Sequence, residues 1–104
     1  MNAKSPSPGT GDIHLVIRGR VQGVGYRDGM VRTAVGLGVE GWVRNRFDGS
    51  VEAILRGESH ACEAVVRWAH RGPGAAQVEK VERRPATPEE SAQISKGFRW
   101  RETA

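Results

Sequence analysis

Residues 19–27 read Gly-Arg-Val-Gln-Gly-Val-Gly-Tyr-Arg, directly after the alternating apolar positions Ile13, Leu15 and Ile17. The alternation predicts a β-strand with one buried face. Three glycines in the next seven positions predict that this strand ends in a tight loop, because glycine readily takes a positive φ. The stretch therefore predicts a strand that leads into a glycine loop.

A helix is predicted directly after the loop. Tyr26, Met30, Ala34 and Leu37 are spaced by four, four and three residues, which places them on one face of a helix that ends at the glycine pair of positions 36 and 38. The first N–H groups of a helix have no partner within it, and the helix dipole adds partial positive charge there. The loop is therefore predicted to bind an anion.

The predicted phosphate-binding residues are the seven that precede and open this helix: Val21, Gln22, Gly23, Val24, Gly25, Tyr26 and Arg27. The first six would donate backbone N–H groups, and the Arg27 guanidinium could bind two oxygens at once. A plain glycine turn followed by a solvated arginine fits the same residues. The stretch matches neither the P-loop pattern nor the dinucleotide fingerprint, whose third glycine is replaced by Asp28.

A second informative stretch spans residues 41–52, Gly-Trp-Val-Arg-Asn-Arg-Phe-Asp-Gly-Ser-Val-Glu. Its Asp48-Gly49 pair predicts a hairpin turn between two strands. Asn45 would lie at the end of the first of these strands, where a rigid backbone can hold a functional side chain. Asparagine is also a common turn residue, so the pattern alone leaves open whether Asn45 acts or only shapes the turn.

Together the two stretches resemble the two signatures of the acylphosphatase family, Gly-x-Val-Gln-Gly-Val-x-aromatic-Arg and Gly-Trp-Val-x-Asn, with weaker similarity from Asp12 to Trp100. The resemblance implies a small ferredoxin-like domain that hydrolyses acyl phosphates to a carboxylate and inorganic phosphate. It implies that Arg27 binds the phosphate and that Asn45 orients the attacking water. This chain departs from the family at Arg46, where many members have threonine.

The rest of the chain predicts an α+β fold. Strands are predicted over residues 39–45, 51–56, 78–83 and 98–101, a helix with Ser59 as its N-cap, and a short helical turn capped by Thr87. The order is that of a ferredoxin-like split βαβ sandwich, with an antiparallel sheet of four main strands plus a short fifth and two helices on one face. The first and third strands would lie side by side at its centre.

Length and composition predict a single domain. The chain has 104 residues, of which 38% are apolar and 27% are charged, with a net charge of +4. Residues 1–11 are predicted to be a flexible tail and residues 12–104 the folded domain. The sequence has no apolar run of membrane-spanning length and no signal peptide, and Cys62 is its single cysteine, so we expect a cytoplasmic monomer with no membrane partner.

The residue types in the loop limit the chemistry. Residues 19–27 contain neither a covalent nucleophile nor a general base, so the loop can hold a phosphoryl group and orient a water but do little more. An acyl phosphate suits such a site, because its carboxylate leaving group needs no acid. The three histidines, His14, His60 and His70, have no metal-ligand spacing. We therefore expect no metal and no cofactor.

Two other functions remain open at this point. The first is a ferredoxin-like RNA-binding module that uses Tyr26, Trp42 and Phe47, although residues 51–56 lack the aromatic pattern of such sheets, so we expect no nucleic-acid partner. The second is a non-catalytic module that binds an anion at the same loop. The expected partner is a small-molecule acyl phosphate, whose acyl group the motifs do not identify.

Overall fold

A computed structural model describes residues 11–104. Its elements are, in order, β1 (Ile13–Arg20), α1 (Tyr26–Gly36), β2 (Glu40–Asn45), β3 (Val51–Arg56), α2 (Ser59–Arg71), β4 (Gln77–Pro85), α3 (Pro88–Ser91) and β5 (Phe98–Arg101). The predicted tail, residues 1–11, lies outside the described residues except for Gly11. None of the helices in the described part of the chain is long and apolar enough to cross a membrane.

The five strands form one sheet in the order β4-β1-β3-β2-β5. The first four pair antiparallel, with β1 and β3 adjacent, which confirms the predicted split βαβ arrangement. The short fifth strand differs, because it pairs parallel to β2 and makes the sheet mixed. Strands β1, β2 and β5 therefore run in the same direction and end at the same edge of the sheet.

One face of the sheet and the two long helices enclose the main core. Leu15 and Ile17 of β1 and Met30 of α1 are fully buried in it. The predicted helical face is confirmed at its first three positions and wrong at Leu37, which is 42% exposed because α1 ends at Gly36. Burying the remaining apolar stripe against the sheet is the main source of the helix's stability.

The second half of the chain follows its predicted pattern with one correction. The N-cap of α2 is Glu58, and Ser59 is already helical and makes no capping hydrogen bond, so the predicted Ser59 cap is wrong. Cys62 is buried, as expected of a small apolar residue. Strand β4 lies at the sheet edge and carries a bulge opposite Arg18 and Gly19. The predicted capping box at Thr87 is present.

The other face of the sheet carries a buried charge network around Glu52. This carboxylate accepts hydrogen bonds from His14 Nε2 at 2.7 Å, Arg44 Nε at 2.8 Å and Arg46 Nη1 at 3.0 Å. Burial on its own would raise the pKa of Glu52, but the hydrogen bonds from His14 and Arg44 and the nearby arginine charges lower it to about 2. The folded state therefore stabilises the ionised form of Glu52.

We expect this network to make the protein sensitive to acid. Because the pKa of Glu52 falls from 4.5 to about 2 on folding, its contribution is complete above pH 4.5 and is lost as the pH falls toward 2. The complete loss should be on the order of 3 kcal/mol in the free energy of unfolding, of which about 2 kcal/mol is lost by pH 3. Urea unfolding at pH 7 and pH 3 measures it, with the exposed Glu89→Gln as control. An equal loss in Glu52→Gln and in the wild type would show that Glu52 is not responsible.

Candidate active site

The glycine loop and the start of α1 lie at the edge where β1 and β2 both end. Gly25 is the N-cap of α1 and has φ 81° and ψ 18°, in the left-handed region. Gly23 also has a positive φ of 74°. A side chain at either position would strain the backbone, which explains why the tight entry into the helix requires glycine.

The loop leaves its backbone donors available. Within residues 11–104, the N–H groups of residues 22–25 donate to no other residue. The first intrahelical bond of α1 runs from Gly29 N to Gly25 O at 3.0 Å, so the N–H groups before Gly29 have no partner from the helix ladder. Free N–H groups at a helix N-terminus form a site with a preference for anions.

Part of this loop and the start of α1 surround a cavity of about 190 Å³. It is lined by Val21, Gly23, Gly25, Tyr26, Arg27, Asp28 and Asn45. The structure therefore brings the two predicted catalytic residues, Arg27 and Asn45, together in one cavity although 18 positions separate them in the sequence. Asp28, which the sequence did not single out, is an exposed acidic residue of the same lining. Its negative charge makes the positive charge of Arg27 more important for attracting an anion.

The Asn45 side chain has a buried acceptor without a partner in residues 11–104, and the residue belongs to the cavity lining. Its Oδ1 atom is buried and has no hydrogen-bond partner among the described residues. Asn45 follows Val43 by two positions, and Val43 is fully buried in the core, so both side chains lie on the helix-covered face of the sheet. A buried carbonyl oxygen without a partner is unusual in a folded protein and is a candidate for binding water or substrate.

Ala104, which follows β5, holds the backbone on either side of Asn45. Ala104 N donates to Asn45 O at 3.1 Å, and Phe47 N donates to Ala104 O at 3.1 Å. These two bonds continue the parallel pairing of β5 with β2 beyond both strands. They hold the strand end from which the Asn45 side chain projects, so its position does not depend on a mobile turn.

Gln22 and Val24 do not line the cavity. The Gln22 Nε2 atom donates to the carbonyls of Arg46 and Ser50, each at 2.8 Å. It thereby ties the loop that precedes α1 to the hairpin that follows Asn45. The Val24 side chain packs against the main core. Any contact of these two residues with an anion would therefore have to come from their backbone N–H groups.

Arg27 carries an unpaired guanidinium that contacts an aromatic ring. Across the described residues it donates no side-chain hydrogen bond and forms no ion pair. Its Cζ atom lies 4.6 Å from the ring centroid of Trp100, on β5. The sequence did not predict this contact, because it depends on β5 joining the sheet beside β2.

Arg46, where many members of the resembled family have threonine, belongs to the charge network. Its Nη1 atom lies 3.0 Å from Glu52 Oε1, and Glu52 extends to the face of the sheet opposite the helices. The cavity lining does not include Arg46. Its guanidinium therefore anchors the start of the hairpin turn to β3.

Two of the aromatic residues considered for RNA binding are buried. Tyr26 is 1% exposed, and its hydroxyl donates to Ala69 O at 2.7 Å. Burial raises the pKa of this phenol, so it stays protonated at neutral pH. Trp42 is 3% exposed, and only Phe47 is open to solvent. Bases cannot stack on buried rings, so the aromatic platform of the RNA-binding alternative is absent from the described residues.

One group of side chains has the residue types of a metal site. His14, Glu52 and Glu90 place ligand atoms within 4.8 Å of one another. Glu52 also pairs with Arg44, while Glu90 pairs with Arg84 at 2.7 Å. Arginines thus already neutralise both carboxylates, and the group functions as an ion-pair network on the face of the sheet away from the cavity. Within this network His14 is hydrogen-bonded to Glu52 at 2.7 Å.

The chain is similar to known proteins over most of its length. A family model described as Acylphosphatase matches residues 13–100. The acylphosphatase of Acidovorax sp. (strain JS42) is 52% identical over 90 residues, which cover 86% of this chain and 89% of that protein.

Solved structures agree with the sequence comparison. The crystal structure of acylphosphatase from Bacillus subtilis has a TM-score of 0.78 and 28% identity, covering 86% of this chain and 97% of that one. An acylphosphatase from Coxiella burnetii has a TM-score of 0.77 and 32% identity, covering 86% and 90%. With the glycine loop, Arg27 and Asn45 meeting in one cavity, these similarities establish that the chain belongs to the acylphosphatase family of enzymes.

Proposed function

We propose that this protein hydrolyses acyl phosphates to a carboxylate and inorganic phosphate at the cavity between the glycine loop and Asn45. The observation that carries the proposal is the shared cavity, whose lining brings together Arg27, Asn45 and the N-terminus of α1. These are the groups needed to hold a phosphoryl group and to orient a water.

The phosphoryl group would be held by the loop and Arg27. The N–H groups of residues 21–26 bind its peripheral oxygens, and the guanidinium binds two of them through parallel hydrogen bonds. Phosphoryl transfer leaves little covalent chemistry for a protein, so positioning and charge stabilisation supply most of the acceleration. Arg27 supplies the full positive charge, to which the dipole of α1 adds.

Asn45 would orient the attacking water. Its Oδ1 atom accepts a hydrogen bond from the water, which turns a lone pair of the water oxygen toward phosphorus. The new O–P bond forms as the P–O bond to the acyl group breaks, and the carboxylate leaves with that bonding pair. The water's proton passes to a phosphoryl oxygen or to solvent. The carboxylate is a stable anion with a conjugate-acid pKa of roughly 4, so it needs no protonation to leave.

The rival function at this site is phosphate binding without turnover. Membership in an enzyme family favours turnover, as does the unpaired Asn45 oxygen, which a purely anion-binding site would not need, since an amide oxygen repels an anion. Binding and hydrolysis share Arg27, so only variants of Asn45 separate the two functions.

The protein is further proposed to act as a cytoplasmic monomer on a free small molecule, without a membrane or nucleic-acid partner. A single buried cysteine suits a reducing compartment, and the burial of Tyr26 and Trp42 argues against base stacking. Light scattering would test the oligomeric state, and a mass above that of one chain would contradict the proposal.

The decisive assay for the function measures hydrolysis of benzoyl phosphate in excess chelator. We expect turnover to persist, because Arg27 and the helix N-terminus supply the positive charge without a metal or cofactor, and we expect free phosphate to inhibit competitively. A phosphomonoester such as p-nitrophenyl phosphate should be a much poorer substrate, because its leaving group is less stable. A strict need for a divalent ion, or faster cleavage of the monoester, would contradict the proposal.

A further inference from the structure

Strand β5 brings one partly exposed aromatic ring to Arg27, a residue of the cavity lining. Phe98, the first residue of β5, is buried in the main core, and Trp100 follows it by two positions on the same face of the sheet. There the Trp100 ring lies under the Arg27 guanidinium, with 4.6 Å between Cζ and the ring centroid. This distance is within the range of a cation–π contact.

Packing accounts for only part of the position of Trp100. The residue is 53% exposed, whereas Trp42 is buried and Trp68 packs against Tyr26 with 5.1 Å between ring centroids. A half-exposed tryptophan buries only part of its apolar surface. The contact with Arg27 is an additional, specific interaction of its ring.

The contact is compatible with phosphate binding. A guanidinium that stacks on an aromatic ring uses its flat face, while its N–H donors point outward in the plane of the group. No described residue accepts a hydrogen bond from Arg27, so its donors are available while the guanidinium contacts the Trp100 ring. An arginine side chain without such a contact samples many rotamers, and binding phosphate would cost conformational entropy by restricting them. A guanidinium that is already held in place avoids much of that cost.

We infer that Trp100 is a positioning residue for the reaction, whose ring holds the Arg27 guanidinium in the orientation that binds the phosphoryl group. This inference rests on the proposed function of Arg27. It assigns a role in the site to β5, a strand that contains none of the residues of the two sequence signatures.

The test compares three replacements of Trp100 by calorimetric titration with inorganic phosphate and by benzoyl phosphate kinetics. Trp100→Ala removes the ring, Trp100→Leu keeps apolar bulk without an aromatic face, and Trp100→Phe keeps a smaller aromatic face. We expect the Ala and Leu variants to bind phosphate about three- to thirtyfold more weakly, and the Phe variant to recover most of that loss. Phe47→Ala, which truncates a ring that is 84% exposed, should leave phosphate affinity unchanged.

Tryptophan fluorescence provides a second measurement. It should not respond to phosphate through Trp100 if the role of Trp100 is purely structural. Because the Trp100 ring contacts the group that binds phosphate, titration with phosphate should change the tryptophan fluorescence of the wild type, and this change should vanish in Trp100→Phe. Folding of each variant is checked by urea unfolding. Leu and Ala variants with wild-type phosphate affinity, or a Leu variant that matches Phe, would overturn the inference.

The two proposals fail in different ways. If the wild type binds phosphate but does not hydrolyse benzoyl phosphate, the proposed function is wrong, while the phosphate titrations still decide the role of Trp100. If the wild type is active and the Ala and Leu variants bind phosphate normally, only the inference about Trp100 is wrong. If the wild type binds no phosphate, both are wrong.

Discussion

Replacing Arg27 with alanine should reduce kcat/KM for an acyl phosphate by about a thousandfold or more while the protein stays folded. The reason is that Arg27 is the only cationic side chain in the cavity lining within residues 11–104. Its loss leaves a dianionic phosphoryl group facing Asp28 with only backbone donors to bind it. Phosphate inhibition should weaken in parallel, because the product uses the same contacts.

Further arginine variants make this prediction specific. Arg27→Lys should rescue poorly, since an ammonium is a point charge and cannot reproduce two parallel hydrogen bonds. Arg32→Ala removes an exposed arginine from the same helix and should leave kinetics unchanged. Near-normal phosphate affinity in a folded Arg27→Ala protein would mean that the anion binds elsewhere.

Replacing Asn45 with alanine should lower kcat by about a hundredfold and leave the inhibition constant of phosphate nearly unchanged. The reason is that the Asn45 oxygen is proposed to hold the water and not the phosphoryl group. Parallel kinetics and phosphate inhibition on wild type and variant measure both quantities. This separation of rate from binding distinguishes an enzyme from an anion-binding module.

Stability has to be measured on the same Asn45→Ala protein. Because the Asn45 Oδ1 atom has no partner among residues 11–104, its removal should change the free energy of unfolding by no more than about 1 kcal/mol. A folded variant with unaltered kcat would make Asn45 a turn residue only. A variant that loses phosphate affinity in proportion to rate would make it a ligand of the phosphoryl group.

That Arg27 and Asn45 come together was implied only by the family resemblance, whereas the sequence itself was sufficient to predict the sheet and the two helices. Those features follow from local patterns: alternation in β1, the glycines before α1 and the Asp48-Gly49 turn. The antiparallel pairings of β1 and β2 with β3 then bring the ends of β1 and β2 to one edge. Local sequence patterns and the right-handed connections between parallel strands therefore determine this part of the fold.

The features that the sequence did not reveal depend on tertiary position. Trp100 contacts Arg27 only because β5 adds parallel to β2, and a strand of four residues carries no signal for its neighbour. The Gln22 side chain donates a hydrogen bond to the carbonyl of Arg46, 24 positions later in the chain. Hydrophobic periodicity in the sequence carries no signal for such a contact. Leu37 fits the helical period but lies after the last residue of α1, since element ends are set by local backbone geometry.

The most direct test of the central claim is to follow solvent oxygen through one turnover. Benzoyl phosphate is hydrolysed by the wild-type protein in water enriched in heavy oxygen, and both products are analysed by mass spectrometry. Attack of an oriented water on phosphorus predicts that the heavy oxygen appears in inorganic phosphate and is absent from benzoate. Heavy oxygen in benzoate would mean that water attacks the acyl carbon, and would contradict the assignment of the Arg27 and Asn45 cavity as a phosphoryl-transfer site.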